Sequence, residues 1–210
     1  MNRYRVGLIA LVPVLLVCAC IRAEEAKPKD EIDPQAEAEL KAMGFTDIKG
    51  SWRRLKKNIY EVTDGKLEST KTDGTVSFTI DANAKGGVSV LCRNGFEAKE
   101  YVLPGANNLN TRVTSSTGFG FEWLPKKCIV YAPLQIGSGS KPNYIPVKST
   151  ELVMHPEEKT QLSVGAHDIN LDLEINGKPT KKSNYKITKD GPFTLTVKGT
   201  MTLENLTFKE

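Results

Sequence analysis

Histidine is nearly absent from this 210-residue chain: there are two, His155 and His167. Neither has cysteines or a second histidine at metal-ligand spacing, so a His/Cys zinc site is excluded. No serine stands in a nucleophile-elbow context, and no glycine-rich loop could cradle a phosphate. Cysteine is scarce as well. Of the four present, Cys18 and Cys20 fall in the first twenty residues, leaving Cys92 and Cys128 for the body of the chain. The apolar stretch Val6 to Cys20 is too short to span a bilayer comfortably. A large positive balance is also missing. The formal charge is +4, and three of the bases, Arg3, Arg5 and Arg22, belong to the first 23 residues. Taking those three from the 29 bases leaves one more base than the 25 acids. A nucleic-acid partner is not expected of so neutral a body.

What is present at the N-terminus is an export signal. A basic start, an apolar middle and the small-residue exit Ile21-Arg22-Ala23 before Glu24-Glu25 describe residues 1–23 as a signal peptide. A second exit is legible. Val17-Cys18-Ala19-Cys20 is similar to a bacterial lipobox, in which Cys20 would carry the lipid, although Cys18 departs from the usual residue at its position. The expected locations are the periplasm, the outer membrane as a lipoprotein, or the medium, with membrane contact only through that lipid.

Residues 24–33 are charged and proline-containing and read as a tether. Asp33-Pro34 follows as an N-cap with proline at the first helical position, and Gly44 supplies a stop, which predicts one short helix within 34–44. From about residue 50 the hydrophobic period becomes two. Val76 to Ile80 alternates, and Ile169 to Ile175 places aliphatics strictly at odd positions, one face buried and one wet. Asp64-Gly65 and Asn176-Gly177 both read as tight hairpin turns. About a dozen short strands separated by Gly, Pro, Asn and Ser make residues 45–210 an all-β domain, a two-sheet β-sandwich or jelly roll. Cys92 and Cys128 form an even pair in an oxidising compartment, so a disulfide is expected, closing a loop of about 35 residues and adding roughly 3–4 kcal/mol. Two separately buried thiols are the alternative.

Exposed aromatic rings are the usual platforms for sugars, because an apolar sugar face stacks on a ring. Trp123, beside Glu122 and Pro125, is the leading candidate, followed by Tyr101, Tyr144 and Trp52; burial in the core is the competing fate of each tryptophan. Asp168, Asp172 and Glu174 share a strand face that could bind Ca²⁺ or act as an acid and base, a solvated face being the preferred reading, and no other cofactor is implied. Arg53, Arg54, Lys56 and Lys57 beside Trp52 make either a basic patch or a lysine-protected edge strand. Glu31, Asp33 and Glu37 match the letters of a glycosidase carboxylate strand, but they lie in the tether and helix start, before the sandwich.

One family resemblance is carried by the two ends. Trp52 is followed by Tyr60-Glu-Val-Thr-Asp-Gly-Lys-Leu67. Near the other end stand Ile175-Asn-Gly177, Gly191-Pro-Phe-Thr-Leu195 and Met201-Thr-Leu-Glu-Asn-Leu-Thr-Phe-Lys209. These segments resemble the concanavalin A-like domain of the 3-keto-disaccharide hydrolase family, in which a Trp precedes a V-x-D-G-x-L hairpin and the last strand reads v-x-F-R-N-I-x-I-K. Leu203 and Glu204 stand here where that pattern has Phe and Arg. Residues 85–165 do not align. The resemblance implies a concanavalin A-like jelly roll with a concave face that holds a sugar, and it transfers no catalytic residue. The chain is therefore expected to be an exported, non-catalytic carbohydrate-binding protein of the cell envelope. A glycan hydrolase and a structural or protein-interaction domain are the alternatives.

Overall fold

The computed structural model describes residues 31–81, 83–104, 110–137, 143–155, 158–184 and 190–210. The expected export signal with Cys20 and the expected tether up to residue 30 lie outside these residues.

Helix α1 spans Pro34–Ala42, with Asp33 as its N-cap: Asp33 Oδ1 accepts the Gln35 N–H at 2.7 Å. Gly44, at φ 103°, ends it in a conformation that suits glycine. Ala36 and Leu40 are fully buried against the sheet. The last residues of the expected tether are pinned to that sheet too. Asp33 N–H donates to the Trp52 carbonyl at 2.9 Å, and Trp52 N–H to that of Glu31 at 3.0 Å.

Among the described residues fourteen strands follow: β1 (Asp47–Lys56), β2 (Ile59–Ser69), β3 (Gly74–Asp81), β4 (Gly87–Cys92), β5 (Glu100–Pro104), β6 (Asn110–Thr114), β7 (Phe119–Leu124), β8 (Lys127–Ile136), β9 (Asn143–Val153), β10 (Lys159–His167), β11 (Asn170–Ile175), β12 (Lys178–Asn184), β13 (Phe193–Lys198) and β14 (Thr200–Lys209). All named pairings are antiparallel. One hydrogen-bonded path runs β12-β11-β10-β3-β14-β2-β13-β4-β7-β8-β9, with β1 on β2 and β5–β6 as a separate hairpin. The path curls until β10 packs over β4 and β7. The expected all-β sandwich is therefore formed, from β12-β11-β10-β3-β14 facing β13-β4-β7-β8-β9. Phe78, Phe119, Phe121, Trp123, Phe193 and Leu203 fill the space between them.

Strand β2 carries the hydrogen bonding round from one layer to the other. Its residues Ile59 to Thr63 pair with β14, and Lys66 to Ser69 with β13. Asp64-Gly65 is thus not the expected hairpin turn; it is a bulge inside one eleven-residue strand. Asp64 takes φ 46°, and the buried side changes from Tyr60 and Val62 to Gly65 and Leu67. The real turn lies at Lys57-Asn58, where Asn58 has φ 58°. Asn176-Gly177, at φ 52° and 70°, makes its hairpin as expected.

The expected disulfide is not formed: Cys92 and Cys128 are both free and buried. Strand β7 lies between their strands, with Cys92 opposite Phe119 and Cys128 opposite Trp123. Two strand spacings and four residues of rise put them roughly 16 Å apart, whereas a disulfide needs Cα atoms within about 7 Å. Alternation turns each side chain inward, and burial pushes both thiols up to about 12.

Candidate functional site

The outer face of the β13-β4-β7-β8 layer is set by the same alternation that fills the core. With Phe119, Phe121 and Trp123 inward, Gly120, Glu122 and Leu124 face out. Glu122 lies opposite Ser89 of β4 on one side and Ile129 of β8 on the other, and Ser89 lies opposite Thr196 of β13. Gly120 sits between Leu91 and Tyr131 at φ 149°. A Cβ at this position would collide with the Val90 carbonyl.

Three hollows follow this face. One of about 180 Å³ is lined by Ser89, Leu91, Ser116, Thr117, Glu122 and Tyr131. A small one shares Ser89 and Glu122 and continues to Thr196 and Lys198. A third, about 400 Å³, shares Thr117 and is walled by Asn94, Gly95, Phe96 and Glu97. Together they form a shallow trough. At its floor Tyr131 Oη donates to Glu122 Oε2 at 2.9 Å. Burial, and then the Glu122 carboxylate, push the Tyr131 phenol up to about 12, so it stays protonated at neutral pH.

The rim is tied down by the backbone and by the core. Gly95 N–H donates to the Thr117 carbonyl at 2.8 Å, and Asn94 Nδ2 donates to Thr194 Oγ1 at 2.9 Å. Phe96 packs edge-on against Phe119 at 5.4 Å. Behind the rim Arg93, 4 % exposed, crosses the end of the sandwich. Its guanidinium meets Asp190 at 2.9 Å, Asp73 at 2.6 Å and the Asp168 carbonyl at 3.1 Å.

A larger hollow of about 620 Å³ lies at the corner of α1 and β1, lined in part by Glu31, Asp33, Arg53 and Glu61. Three of its four charged side chains already serve the fold: Asp33 caps the helix, and Arg53 pairs with Glu61 at 2.7 Å. The outer trough offers polar groups of its own and is the better site.

The structure separates the candidates read from the sequence. Trp123 and Trp52 are fully buried, which corrects their assignment as sugar platforms. Trp52 is held by its Nε1 donating to the Lys49 carbonyl at 2.9 Å and by edge-on packing on Tyr60. Trp123 fails by one residue: in a strand its neighbour Glu122 takes the opposite face. Tyr101 is half-buried in β5, opposite Val113. Tyr144 is half-buried on β9, opposite Gln135, and neither tyrosine lines the three hollows. Arg54 pairs with Glu39 at 2.8 Å, so two of the four cations around Leu55 are neutralised. Glu37 is spent on Lys41 at 2.6 Å. Asp168 occupies the β10–β11 turn at φ 52°, while Asp172 and Glu174 face Gly165 and Ser163. Among the described residues no group of three or more His, Cys, Asp or Glu could hold a metal ion. His167 Nε2 lies 3.1 Å from Thr75 Oγ1. Glu122 and Tyr131 were missed in the sequence; the signal was the alternation Phe121-Glu122-Trp123 itself, once the aromatics are placed inside.

No family model matches the chain, and no curated protein matches it. The likeness read from its two ends is therefore without a family match. Solved structures of low identity do align. The carbohydrate binding module CBM66 from Bacillus subtilis is 15 % identical, covering 80 % of this chain and 96 % of that one, with a TM-score of 0.43. LamAcat from Zobellia galactanivorans is 9 % identical over 74 % and 78 %, with a TM-score of 0.44. The Bacillus licheniformis beta-glucanase is 8 % identical over 75 % and 81 %, with a TM-score of 0.42.

Proposed function

We propose that this is an exported carbohydrate-binding β-sandwich protein of the cell envelope, and that it holds its glycan in the outer trough without cleaving it. The observation that carries this reading is the Glu122–Tyr131 pair on the floor of an open trough rimmed by Ser89, Ser116 and Thr117. Sugars are recognised by such sets: a half-buried ring for an apolar sugar face and a few convergent hydroxyl and carboxylate groups for its hydroxyls. Glycoside hydrolysis ordinarily needs two carboxyl groups flanking the scissile bond. Glu122 is the carboxylate of its hollow, and the acids of the adjoining one are each engaged with a lysine: Glu68 with Lys66 at 2.7 Å and Glu97 with Lys99 at 2.5 Å. The export signal supports a location in the periplasm, on the outer membrane through a lipid at Cys20, or in the medium.

The test is a glycan array probed with the purified protein, followed by long incubation with any glycan retained. Saturable binding to one glycan class, weakened in Tyr131→Ala and accompanied by no new reducing ends, is the expected result. New reducing ends would replace the binder with a hydrolase. A blank array from folded protein would overturn the carbohydrate reading and favour a protein partner in the envelope.

A further inference from the structure

We propose that Glu122 is a charge filter that restricts the trough to uncharged glycans; this rests on the carbohydrate reading above. Glu122 is half-buried, between Ser89 and Ile129 on the neighbouring strands, and Ile129 is only 8 % exposed. No cation neutralises it among the described residues. On the adjacent strand β8 Lys127 is turned to Glu151, as is Lys148 of β9, and Lys66 of β2 is turned to Glu68; Lys198 of β13 lines the far end of the small hollow and makes no ion pair with Glu122. Its side-chain partner among the described residues is a phenol, and that phenol spends its proton on Glu122 Oε2. Two consequences follow. Glu122 Oε1 and the lone pairs of Tyr131 Oη point the floor of the trough toward acceptance, so it needs donors from a ligand. A sugar hydroxyl is such a donor, whereas a ligand carboxylate or sulfate is not. An anionic ligand group would also meet the Glu122 charge at close range, and like charges across an interface are strongly selected against.

Titration calorimetry with one polysaccharide backbone in three forms, neutral, carboxymethylated and sulfated, tests this at constant ionic strength. The wild-type protein is expected to bind the neutral form at least tenfold more tightly than either anionic form. In Glu122→Gln, nearly the same size and still able to accept from Tyr131, that preference should shrink to within about threefold. Tyr131→Phe keeps the charge, so it should weaken all three forms together and leave the ratio standing. Melting curves check that both variants fold. Equal wild-type affinity for neutral and anionic forms, or an unchanged ratio in Glu122→Gln, would overturn the filter and leave the carbohydrate reading intact. Failure of all three forms, together with a blank array, would remove both.

Discussion

Asp64 and Gly199 hold each other where the sheet divides. Gly199 N–H donates to Asp64 Oδ1 at 2.7 Å, and Asp64 N–H donates to the Gly199 carbonyl at 3.1 Å. Both residues have positive φ, 46° and 74°. Gly199 is the single residue between β13 and β14, and Asp64 is the bulge of β2 that faces it. Gly50, at φ 85°, lies against the Asp64-Gly65 backbone from β1. The three strands therefore bend at one level, and the bend lets a single hydrogen-bonded path enclose the core.

Asp64→Ala should be among the more damaging exposed substitutions. It removes the acceptor of the Gly199 N–H and puts a residue with a Cβ and no local hydrogen bond at positive φ, for a loss of about 2 kcal/mol. Asp64→Asn keeps an acceptor and tolerates that backbone, so it should cost under about 1 kcal/mol. Equal urea midpoints for the two variants would count against this account.

Arg93, just after β4, joins the layer that carries the trough to the turns of the opposite layer. Replacing it with Met should cost about 2–3 kcal/mol, since three charge-assisted hydrogen bonds are lost at a buried position. Asp190→Asn, at a carboxylate with 82 % of its side chain exposed, should cost under about 1 kcal/mol. Amide exchange over residues 94–97 should accelerate in Arg93→Met before global unfolding, because those residues leave the same strand end. Exchange that changes only with global stability would argue otherwise.

Glu39 docks α1 onto the sheet. It accepts from Tyr60 Oη at 2.8 Å and from Arg54 Nε at 2.8 Å. The Tyr60 hydrogen bond, with Arg54 assisting against the cost of burial, holds its carboxyl below the ordinary value of 4.5. A carboxyl depressed on folding contributes stability that is complete above its unfolded value and lost as pH falls through its lower folded value. The Glu39 contribution should therefore be intact at neutral pH and disappear below about pH 4. Tyr60→Phe should reduce stability at pH 7 and flatten the acid limb of a stability-against-pH curve; an unchanged limb would refute the linkage.

The two core thiols give a direct check of the strand register. Dithiothreitol should leave the melting temperature unchanged, and a thiol reagent should label Cys92 and Cys128 only on unfolding, because burial keeps both protonated. A reductant-induced loss of about 3 kcal/mol would instead reveal a bridge.

The parts that were legible in the sequence are those decided by neighbours along the chain. Asp33-Pro34 starts a helix because the cap and the ring angle act within one turn. Ile169 to Ile175 declares a strand with one wet face, and Asn176-Gly177 declares its turn, because both backbones tolerate the left-handed region. The site is legible in the sequence only through Trp123, the neighbour of Glu122. A strand offers two faces and the sequence does not say which one meets the core, so Glu122 emerged only when the facing layer claimed the rings. Asp64-Gly65 shows the same division. Its positive φ follows from the residue types, whereas bulge or hairpin depends on whether β13 and β14 lie alongside, more than a hundred residues away in sequence. Cys92 and Cys128 were a pair by count and compartment; the strand inserted between them decided that they cannot meet. Local conformations and strand periodicity are written in the chain, because they depend on φ, ψ and residues a few positions apart. Which face is buried, which bend is a turn and which side chains converge are settled in the folded molecule, because they depend on long-range pairing.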